Sequence, residues 1–530
     1  MEFQLFRIFP ITVFLILMST LSDRGFSESP RVLRMSAPSS DPNLLDPATY
    51  NNSTEAMITA AVYGRLLEID DKTGNFYGDL AKKFYWQGST LVFELREDSF
   101  TSKKHLIKPL DFKNSFVRMF RYRKSKDLDI VGGLEKYLCT NKIERCDGIT
   151  ISGNRVSFQF PFKSRAFIEY LTHTQYSVVP SGALKGLRLV DRSHTSGRYM
   201  IAGKINDYVS LKKNNYYRSH VDNSADEIRV YRDYRIDKTG SWFSYDAIES
   251  NKIDFISPED SFDPSTEQRF EKNTKKASIF VSDEIRSTVF VFTSKGMKIP
   301  KEDRASIVKI LDDAHSKTWK KARDDLISKD PEYVFKRRLD QLLIPGSFGS
   351  FQSKEYVAMK NFRTKLSNSW PTKIDKFVIG LPDEGWVKML RNRHGLDKLY
   401  PIEYRAIGHN IQGNRIKDDI EDVDLIVEAI SVPYRETYSA IAEVLQNGYM
   451  HIRDEAAKNW LTTFSKESDR SERTRMLRKL HFESVVTNPS VIPYFSRAHR
   501  GISTNGWNID HISPHTARTS LWLITKPESK

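Results

Sequence analysis

Short strand-like runs alternate with amphipathic helical runs along almost the whole chain, and this alternation restricts the fold more than any other feature. SFQFPF, FVFTSK and VDLIVEAI are strand-like, whereas STEAMITAAVYGRLLEI and LDFKNSFVRMFRYRK repeat apolar residues at helical spacing. No repeat with a period of about 20–50 residues is visible, which disfavours solenoids and propellers. A chain of 530 residues with this pattern is expected to form several mixed α/β domains that pack together.

One long apolar run is present, from Ile8 to Leu21, and Arg7 precedes it. It is too short to cross a bilayer comfortably, and its position is typical of the apolar region of a secretory signal. Small residues at Gly25-Phe26-Ser27 offer a cleavage site, so residues 1–27 are interpreted as a cleavable signal peptide, with an uncleaved anchor as the alternative. Because no cysteine follows the run, a lipoprotein anchor is excluded, and the mature chain is expected to be exported and soluble.

The chain contains only two cysteines, Cys139 and Cys146, which enclose the six residues TNKIER. Two cysteines exclude a four-cysteine zinc or iron–sulfur site and a fold built on disulfides. In an oxidising compartment this pair favours a small disulfide loop, and two buried thiols are the alternative.

Positive charge predominates, with 82 basic against 68 acidic residues and a net charge of +14. Residues 103–126 hold nine lysines and arginines against one acid, Asp111, while Phe112, Phe116 and Phe120 form an apolar face at four-residue spacing. A solvated basic helix face is the favoured interpretation. An anionic envelope polymer or acidic ligand is the alternative partner, and nucleic acid is not expected for an exported chain.

A series of short motifs follows a fixed order along the chain. They are LLDP at 44–47, VYGRLL at 62–67, GDLA at 78–81, FELR at 93–96, PLDF at 109–112, SGRY at 196–199, VSLKKNNYYR at 209–218, AIESNKIDF at 247–255 and VIPYF at 491–495. Together they resemble the family 5 extracellular solute-binding proteins, the peptide- and nickel-binding components of ABC importers. One departure is Arg198, which stands where the family usually has proline.

The resemblance implies an α/β fold of the two-lobed periplasmic-binding-protein type (type II, cluster C-like), with a hinge and an extra inserted domain. The expected boundaries are 31–64, 178–275 and 490–530 for the first lobe, 65–177 for the inserted domain and 276–489 for the second lobe. Such lobes close on a ligand by rotating about a few connecting residues. No cofactor, metal or catalytic residue is implied, and a monomer is expected.

The resemblance also implies a function: a periplasmic protein that captures a small polar ligand and delivers it to the inner-membrane permease of an ABC importer. An oligopeptide or dipeptide is the expected ligand. A sensor or scavenger on the same fold is the second hypothesis, and a cell-envelope hydrolase is a third. The hydrolase hypothesis rests on Ser306 and Lys309, but the Lys238-Thr239-Gly240 triplet precedes them, which reverses the order found in penicillin-recognising enzymes.

Four of the six candidate ligand-binding residues lie within or just after the strand-like run VDLIVEAI. Peptide-binding members commonly have an aromatic residue and then an aspartate here, but this sequence has neither between Ala429 and Pro433. Glu428 is the available acid for a peptide amino terminus, or else a core residue, and Arg435 suits a carboxylate or phosphate, or a surface ion pair. For the aromatic candidates Tyr434 and Trp507, core packing is the alternative. The complete set is Tyr50, Glu428, Ser431, Tyr434, Arg435 and Trp507.

Overall fold

The computed structural model describes residues 30–36, 45–50, 53–70, 75–122, 138–139, 146–205, 208–231, 247–248, 250–256, 278–326, 336–343, 349–407, 421–431, 445, 450–467, 469–509 and 520–527. The predicted signal peptide, Tyr434, Arg435 and the Lys238-Thr239-Gly240 triplet lie outside these residues. Within them, no helix is long and apolar enough to cross a membrane.

The described residues form nineteen strands. They are β1 (Val32–Ser36), β2 (Leu67–Ile69), β3 (Phe76–Gly78), β4 (Ala81–Gln87), β5 (Thr90–Leu95), β6 (Ile149–Ser152), β7 (Arg155–Gln159), β8 (Leu184–Lys185), β9 (Arg188–Leu189), β10 (Tyr199–Ile205), β11 (Tyr208–Lys213), β12 (Glu227–Tyr231), β13 (Phe255–Ile256), β14 (Ser278–Phe292), β15 (Lys336–Arg338), β16 (Phe377–Leu381), β17 (Ile402–Ala406), β18 (Leu425–Ser431) and β19 (Val491–Ser503).

Eight α-helices accompany these strands in the described part of the chain. They are α1 (Ser53–Val62), α2 (Pro109–Tyr122), α3 (Arg165–Tyr170), α4 (Lys301–Leu326), α5 (Ser353–Arg363), α6 (Glu384–His394), α7 (Asp454–Lys466) and α8 (Arg470–Phe482). A π-helical turn, Glu483–Thr487, follows α8. The fold is therefore mixed α/β, as the sequence predicts.

One predicted helix is shorter than its sequence pattern. The run STEAMITAAVYGRLLEI predicts a helix through residue 69, but α1 ends at Val62 and Leu67–Ile69 forms a strand. The reason lies at Gly64, whose N–H donates to the Ser196 hydroxyl at 3.0 Å. A Cβ at Gly64 would lie 3.0 Å from the Ser196 carbonyl oxygen and 2.9 Å from Leu80, so the chain turns here in contact with a distant segment.

One large sheet passes through both halves of the molecule. Its strand order is β10-β11-β12-β1-β13-β19-β14-β18-β16-β17, and β15 pairs separately with β19. At one end β1 is parallel to β12 and β13, and at the other β16 is parallel to β17 and β18. Parallel pairs of this kind require crossover connections, which explains why both sets are covered by helices.

Each half of the large sheet has its own apolar core. The first packs Leu33 and Met35 of β1 against Tyr63 and against Trp507, Ile509, Leu521, Trp522 and Ile524. The second packs one face of β14, β16 and β18 against α4 and α6. These two cores share no residue among those described, and strands β14 and β19 connect the two halves of the sheet.

A separate four-stranded sheet, in the order β4-β5-β7-β6, lies between α1 and β8 along the chain. Helix α2 packs on it through the predicted apolar face: Phe112 and Phe116 are buried, and Phe120 is partly buried against the same cluster. The Phe116 and Phe158 rings lie 5.3 Å apart. A disulfide bond joins Cys139 to Cys146 beside this sheet. We refer to residues 65–177, which contain these elements, as the inserted domain.

Helix α2 is less solvated than its composition predicts. Arg118, one of the nine basic residues counted in the sequence, is 2% exposed and pairs with Asp46 in the turn before α1. Lys113 donates to the Ile149 carbonyl at 2.8 Å, and Lys103 pairs with Asp191. The predicted solvated basic face is therefore wrong for Arg118, because this residue holds the inserted domain against the first half of the molecule.

Candidate ligand-binding cleft

Strands β14 and β19 form an antiparallel ribbon that runs from one half of the large sheet to the other. At one end Ile502 and Ser503 of β19 pair with both β13 and the start of β14. At the other end Val491 and Ile492 of β19 pair with Val291 and Phe290 of β14, where β14 also pairs with β18. The ribbon is therefore the structural connection between the two parallel strand sets.

The two sets of parallel strands point toward each other along this ribbon. β13 is antiparallel to β19, which is antiparallel to β14, so β1, β12 and β13 run in the direction of β14. β18 is antiparallel to β14, so β16, β17 and β18 run the opposite way. Their carboxyl ends consequently face each other; these ends are Ser36, Tyr231 and Ile256 in one set and Leu381, Ala406 and Ser431 in the other.

The register of the ribbon gives the separation between the two sets. Ile256 is level with Ile502 and hence with Ile279 of β14, whereas Ser431 is level with Arg286. Seven residues of extended chain separate these levels, which corresponds to about 23 Å along the strand at roughly 3.3 Å per residue. Ligands of open α/β sheets bind outside the carboxyl ends of the strands. This interval is the candidate ligand-binding cleft.

Two of the predicted binding residues, Ser431 and Tyr50, belong to segments that reach this cleft. Ser431 is the last residue of β18 and therefore stands at its cleft end. Tyr434 and Arg435 follow it outside the described residues. Tyr50 belongs to the loop between the cleft end of β1 and α1; it is partly buried, and its N–H donates to the Asp46 carbonyl at 3.0 Å. These placements bring Tyr50 and the Ser431 segment to facing edges of the same interval.

Glu428 lies inside β18 and not at its end. It is directly opposite Val289 of β14, and residues directly opposite in an antiparallel pair share a face of the sheet. That face carries Val289 and Ile426, both buried in one apolar cluster. This position favours the core alternative for Glu428, which is partly buried, over a contact with a peptide amino terminus.

Trp507 is also misplaced by the sequence interpretation. It is 1% exposed, and it packs in the core of the first half beside Leu521 and Ile524. It follows the end of β19 that lies beside Asp254, because the Thr504 N–H donates to the Asp254 carbonyl at 2.8 Å. This is the amino end of β13, at the opposite edge of the sheet from the cleft. Trp507 is therefore a core residue, since the direction of β19 carries it away from the ligand side.

A buried charge cluster, which sequence reasoning missed, fixes the inserted domain to the first half. Arg198 donates to Glu68 at 2.8 Å, its guanidinium carbon lies 4.5 Å from the centre of the Trp522 ring, and the Tyr217 hydroxyl donates to Asp79. Burial favours a high pKa for Glu68, but Arg198 and Arg65 outweigh it and hold the pKa at about 2. The available sequence signal was Arg198 itself, the basic residue in place of the usual proline.

The pKa of Asp79, in the same buried cluster, is shifted in the opposite direction from that of Glu68. Burial raises the pKa of Asp79, the nearby Glu68 carboxylate raises it further, and Arg198 only partly opposes them. Of the two neighbouring acids, Glu68 therefore holds the negative charge more firmly. Arg198 is thus surrounded by the ionised Glu68 carboxylate, two aromatic rings and the Tyr217–Asp79 hydrogen bond. Its guanidinium is already paired, so its role is to hold the structure together.

The residues that suggested a hydrolase have ordinary helical roles. The Ser306 hydroxyl donates to the Glu302 carbonyl at 3.3 Å within α4, and Lys309 pairs with Asp313 one turn later. Neither side chain is directed to the other as a nucleophile and base would be. Among the described residues, no group of three or more histidine, cysteine, aspartate or glutamate side chains is arranged to hold a metal ion.

By sequence, neither a family model nor a curated protein matches this chain. By structure, it is similar to a dipeptide-binding protein of Pseudoalteromonas sp. SM9913 in complex with Met-Leu, with TM-score 0.69, 13% identity, and 94% of this chain and 100% of that chain covered. It is also similar to NikA of Brucella suis in complex with Fe(III)-EDTA, with TM-score 0.69 and 14% identity, and 94% of this chain and 100% of that chain are covered. A third similar structure is OppA of Haemophilus influenzae in complex with the peptide RPPGFSPFR, with TM-score 0.67 and 11% identity. The alignment covers 94% of this chain and 99% of that chain.

These similarities define the class of fold. The chain has the two-lobed α/β fold of the periplasmic solute-binding proteins, and the alignments span nearly the full length of both partners. The fold that the motif series implied, that of the family 5 binding proteins, is confirmed. The three similar proteins carry a dipeptide, a metal chelate and a nonapeptide, so one architecture accommodates ligands of very different size and charge.

Proposed function

We propose that this chain is a periplasmic solute-binding protein that captures a small polar ligand between its two lobes and delivers it to an ABC importer. The observation that carries the proposal is the facing arrangement of two sets of strand carboxyl ends across the β14–β19 ribbon. An oligopeptide or dipeptide is the proposed ligand class, supported by the peptide-bound proteins of the same fold. Capture and release break no covalent bond, so the proposed protein is not an enzyme.

The two sets of parallel strands in the large sheet support a division into two lobes. The first lobe comprises residues 31–64, 178–275 and 490–530, the inserted domain comprises 65–177, and the second lobe comprises 276–489. Closure would bend the ribbon in the interval between Ile279 and Arg286, where β14 passes from the strands of one lobe to those of the other. We further propose that the mature protein is a periplasmic monomer released by cleavage of residues 1–27 and carries no lipid anchor.

Ligand contacts are proposed for the cleft ends of the strands. Ser431 and the following Tyr434 and Arg435 would contact the ligand from the second lobe, and Tyr50 from the first. Arg435 is the proposed partner of a ligand carboxylate, because a guanidinium pairs with a carboxylate through two parallel hydrogen bonds. Contacts from both lobes would stabilise the closed arrangement relative to the open one.

The direct test is native mass spectrometry of the mature protein purified gently from the periplasm. We expect a mass above that of the free chain, and fragmentation should resolve the added mass into one peptide or a ladder of peptides. If the protein is isolated free, thermal denaturation against peptide pools replaces this test. Ligand at about 100 times its dissociation constant is expected to add roughly 2.7 kcal/mol to the free energy of unfolding. Cleavage of the bound peptide, or no stabilisation by any pool, would contradict the proposal.

Substitution of Arg435 by glutamine tests the proposed carboxylate contact. We expect peptide affinity to fall by about 10- to 100-fold, the range for loss of a hydrogen bond to a charged group, without a change in the stability of the free protein. Isothermal titration with a peptide and with its carboxy-terminal amide provides the measurement, because the amide should lose affinity for the native protein only. Arg391→Gln, at a half-exposed ion pair with Asp397, is the matched control. Equal affinities for Arg435→Gln and the native protein would exclude the contact.

A further inference from the structure

The inserted domain is fixed to the first lobe by a series of polar contacts. Arg118 pairs with Asp46, Arg198 with Glu68, and Tyr217 with Asp79. Further hydrogen bonds join Asp111 to the Ser181 N–H at 2.8 Å, Ser115 to the Val179 N–H at 2.8 Å and Thr101 to His194 at 2.9 Å. Buried charge pairs tolerate little displacement, because separation leaves each charge without its partner in an apolar surrounding. The inserted domain therefore moves with the first lobe as one body.

The same domain also contacts the second lobe, through Phe162. The ammonium group of Lys466, the last residue of α7, lies 5.1 Å from the centre of the Phe162 ring. Phe162 packs on an apolar cluster that contains Phe160 and Phe167 of the inserted domain and Leu461 and Phe464 of α7. Lys466 is exposed and Phe162 is partly buried, so this contact lies at the surface where the two bodies meet.

Local structure holds both partners in position. Pro161 precedes Phe162, and the Ser164 hydroxyl then accepts the Phe167 N–H at 3.3 Å as the cap of α3, so the short segment between β7 and α3 is well defined. Phe160 is anchored beneath it, with its ring centre 4.6 Å from that of Phe167. Lys466 stands in the last turn of α7, where the negative end of the helix dipole favours a cation.

We propose that Phe162 and Lys466 form a latch that stabilises the closed arrangement of the two lobes. A rotation about the β14–β19 ribbon moves the inserted domain with the first lobe and α7 with the second, so it separates these two side chains. The contact is made in the described arrangement and is lost on rotation, so it shifts the equilibrium toward that arrangement without touching the ligand. The inference rests on the proposed function only for the hinge motion; the latch itself is read from the described contacts.

The expected effect follows from the strength of the interaction. A cation over an aromatic ring at an exposed site changes an equilibrium by about 2- to 5-fold. Lys466→Ala should therefore reduce the ratio of closed to open protein by about 2- to 5-fold in the absence of ligand. The apparent affinity for ligand should fall by a similar factor, because only the fraction of protein in the closed arrangement binds the ligand tightly.

Single-molecule energy transfer on the full mature chain can measure this ratio directly. Labels are attached at Ile205→Cys in the first lobe and Leu399→Cys in the second, where the native side chains are 47% and 72% exposed. Maleimide dyes leave the disulfide between Cys139 and Cys146 unmodified, since they react with free thiols. Small-angle X-ray scattering then identifies the more open population by its larger radius of gyration.

Three variants separate the latch from a general effect on the fold. Lys466→Ala and Phe162→Leu should both shift the ratio toward the open population, and Lys466→Arg should restore it because the cation is retained. Lys458→Ala, at a 56% exposed lysine of the same helix, is the matched control and should leave the ratio unchanged. An unchanged ratio in Lys466→Ala, or an equal shift in Lys458→Ala, would overturn the latch.

The design keeps this inference separate from the proposed ligand. If the ratio shifts as expected but no peptide binds, the latch stands and the proposed ligand class fails. If peptides bind but Lys466→Ala, Phe162→Leu and the native chain show the same ratio, the latch fails and the binding function stands. Circular dichroism of Phe162→Leu verifies that the variant is folded before either conclusion is drawn.

Discussion

Replacement of Arg118 by alanine is expected to lower the free energy of unfolding by about 3–5 kcal/mol. The Arg118 side chain donates to Asp46 through both terminal nitrogens, with Nη1 2.6 Å from Oδ1, and its Nε donates to the Leu187 carbonyl at 2.7 Å. Arg118 is 2% exposed and Asp46 is 7% exposed. Removing the guanidinium leaves the Asp46 carboxylate buried without a countercharge, and that loss is larger than the net stabilisation that the intact pair provides.

Urea denaturation followed by far-ultraviolet circular dichroism and by tryptophan fluorescence measures this effect. Arg475→Ala, which removes an exposed ion pair with Glu472, is the control and should leave the midpoint unchanged. The double variant Asp46→Leu with Arg118→Met should recover much of the lost stability, because neither charge then remains buried. If the Arg118→Ala protein is as stable as the native chain, water reaches Asp46, and the contact between the inserted domain and the first lobe is less tightly packed than the structure shows.

The second large effect is a loss of stability in acid that depends on His481. This residue is fully buried, its Nε2 accepts the Leu342 N–H at 2.7 Å, and its ring stacks on Phe351 at 4.2 Å. Burial lowers the pKa of His481 to about 3, against 6.5 for an ordinary histidine. Protonation would place a charge in the core and would remove the acceptor of the Leu342 N–H.

The direction of the pH dependence follows from this depressed pKa. Between pH 6.5 and about 3 the unfolded chain binds a proton at residue 481 that the folded chain excludes. The contribution of the neutral His481 side chain to the free energy of unfolding is therefore complete above pH 6.5. It is lost as the pH falls, by about 1.4 kcal/mol per pH unit over much of this window. His481→Gln retains an oxygen that can accept the Leu342 N–H but does not titrate, so its stability should fall less steeply in acid.

Denaturation midpoints measured between pH 7 and pH 4 compare the two proteins. His105→Gln, at an exposed histidine whose ring lies 5.2 Å from that of His194, serves as the control and should retain the loss of stability that His481 causes. Other buried histidines with a lowered pKa, such as His194 and His451, contribute to the slope that remains. If His481→Gln and the native chain lose stability in parallel, His481 is protonated while the protein is folded. The packing of its ring against Phe351 would then have to change to accommodate the charge.

The fold could be predicted from the sequence to a greater extent than the site. Local periodicity was sufficient for α2, because the four-residue spacing of Phe112, Phe116 and Phe120 specifies one apolar face, and all three pack as expected. The order of the short motifs was sufficient for the two-lobed fold. In both cases the information lies in neighbouring residues or in their sequence along the chain.

The site depends on contacts between distant residues, which no local pattern reveals. Arg118 and Asp46 are 72 positions apart, and Arg198 and Glu68 are 130 apart. By sequence Trp507 is a candidate cleft aromatic, but the direction of β19 places it at the other edge of the sheet. For the same reason Glu428 could not be placed until the pairing of β18 with β14 defined its face. Strand direction is a property of the assembled sheet.

The position of β19 also determines when this protein can fold. Its thirteen residues separate β13 from β14 in the sheet, yet they come near the end of the chain, more than 190 residues after β14 has been synthesised. Until Val491–Ser503 emerges, neither lobe has its inner neighbour and the two cannot be joined. Pairings of such long sequence separation form slowly. A nascent chain that lacks this strand therefore remains incompletely assembled throughout most of its synthesis.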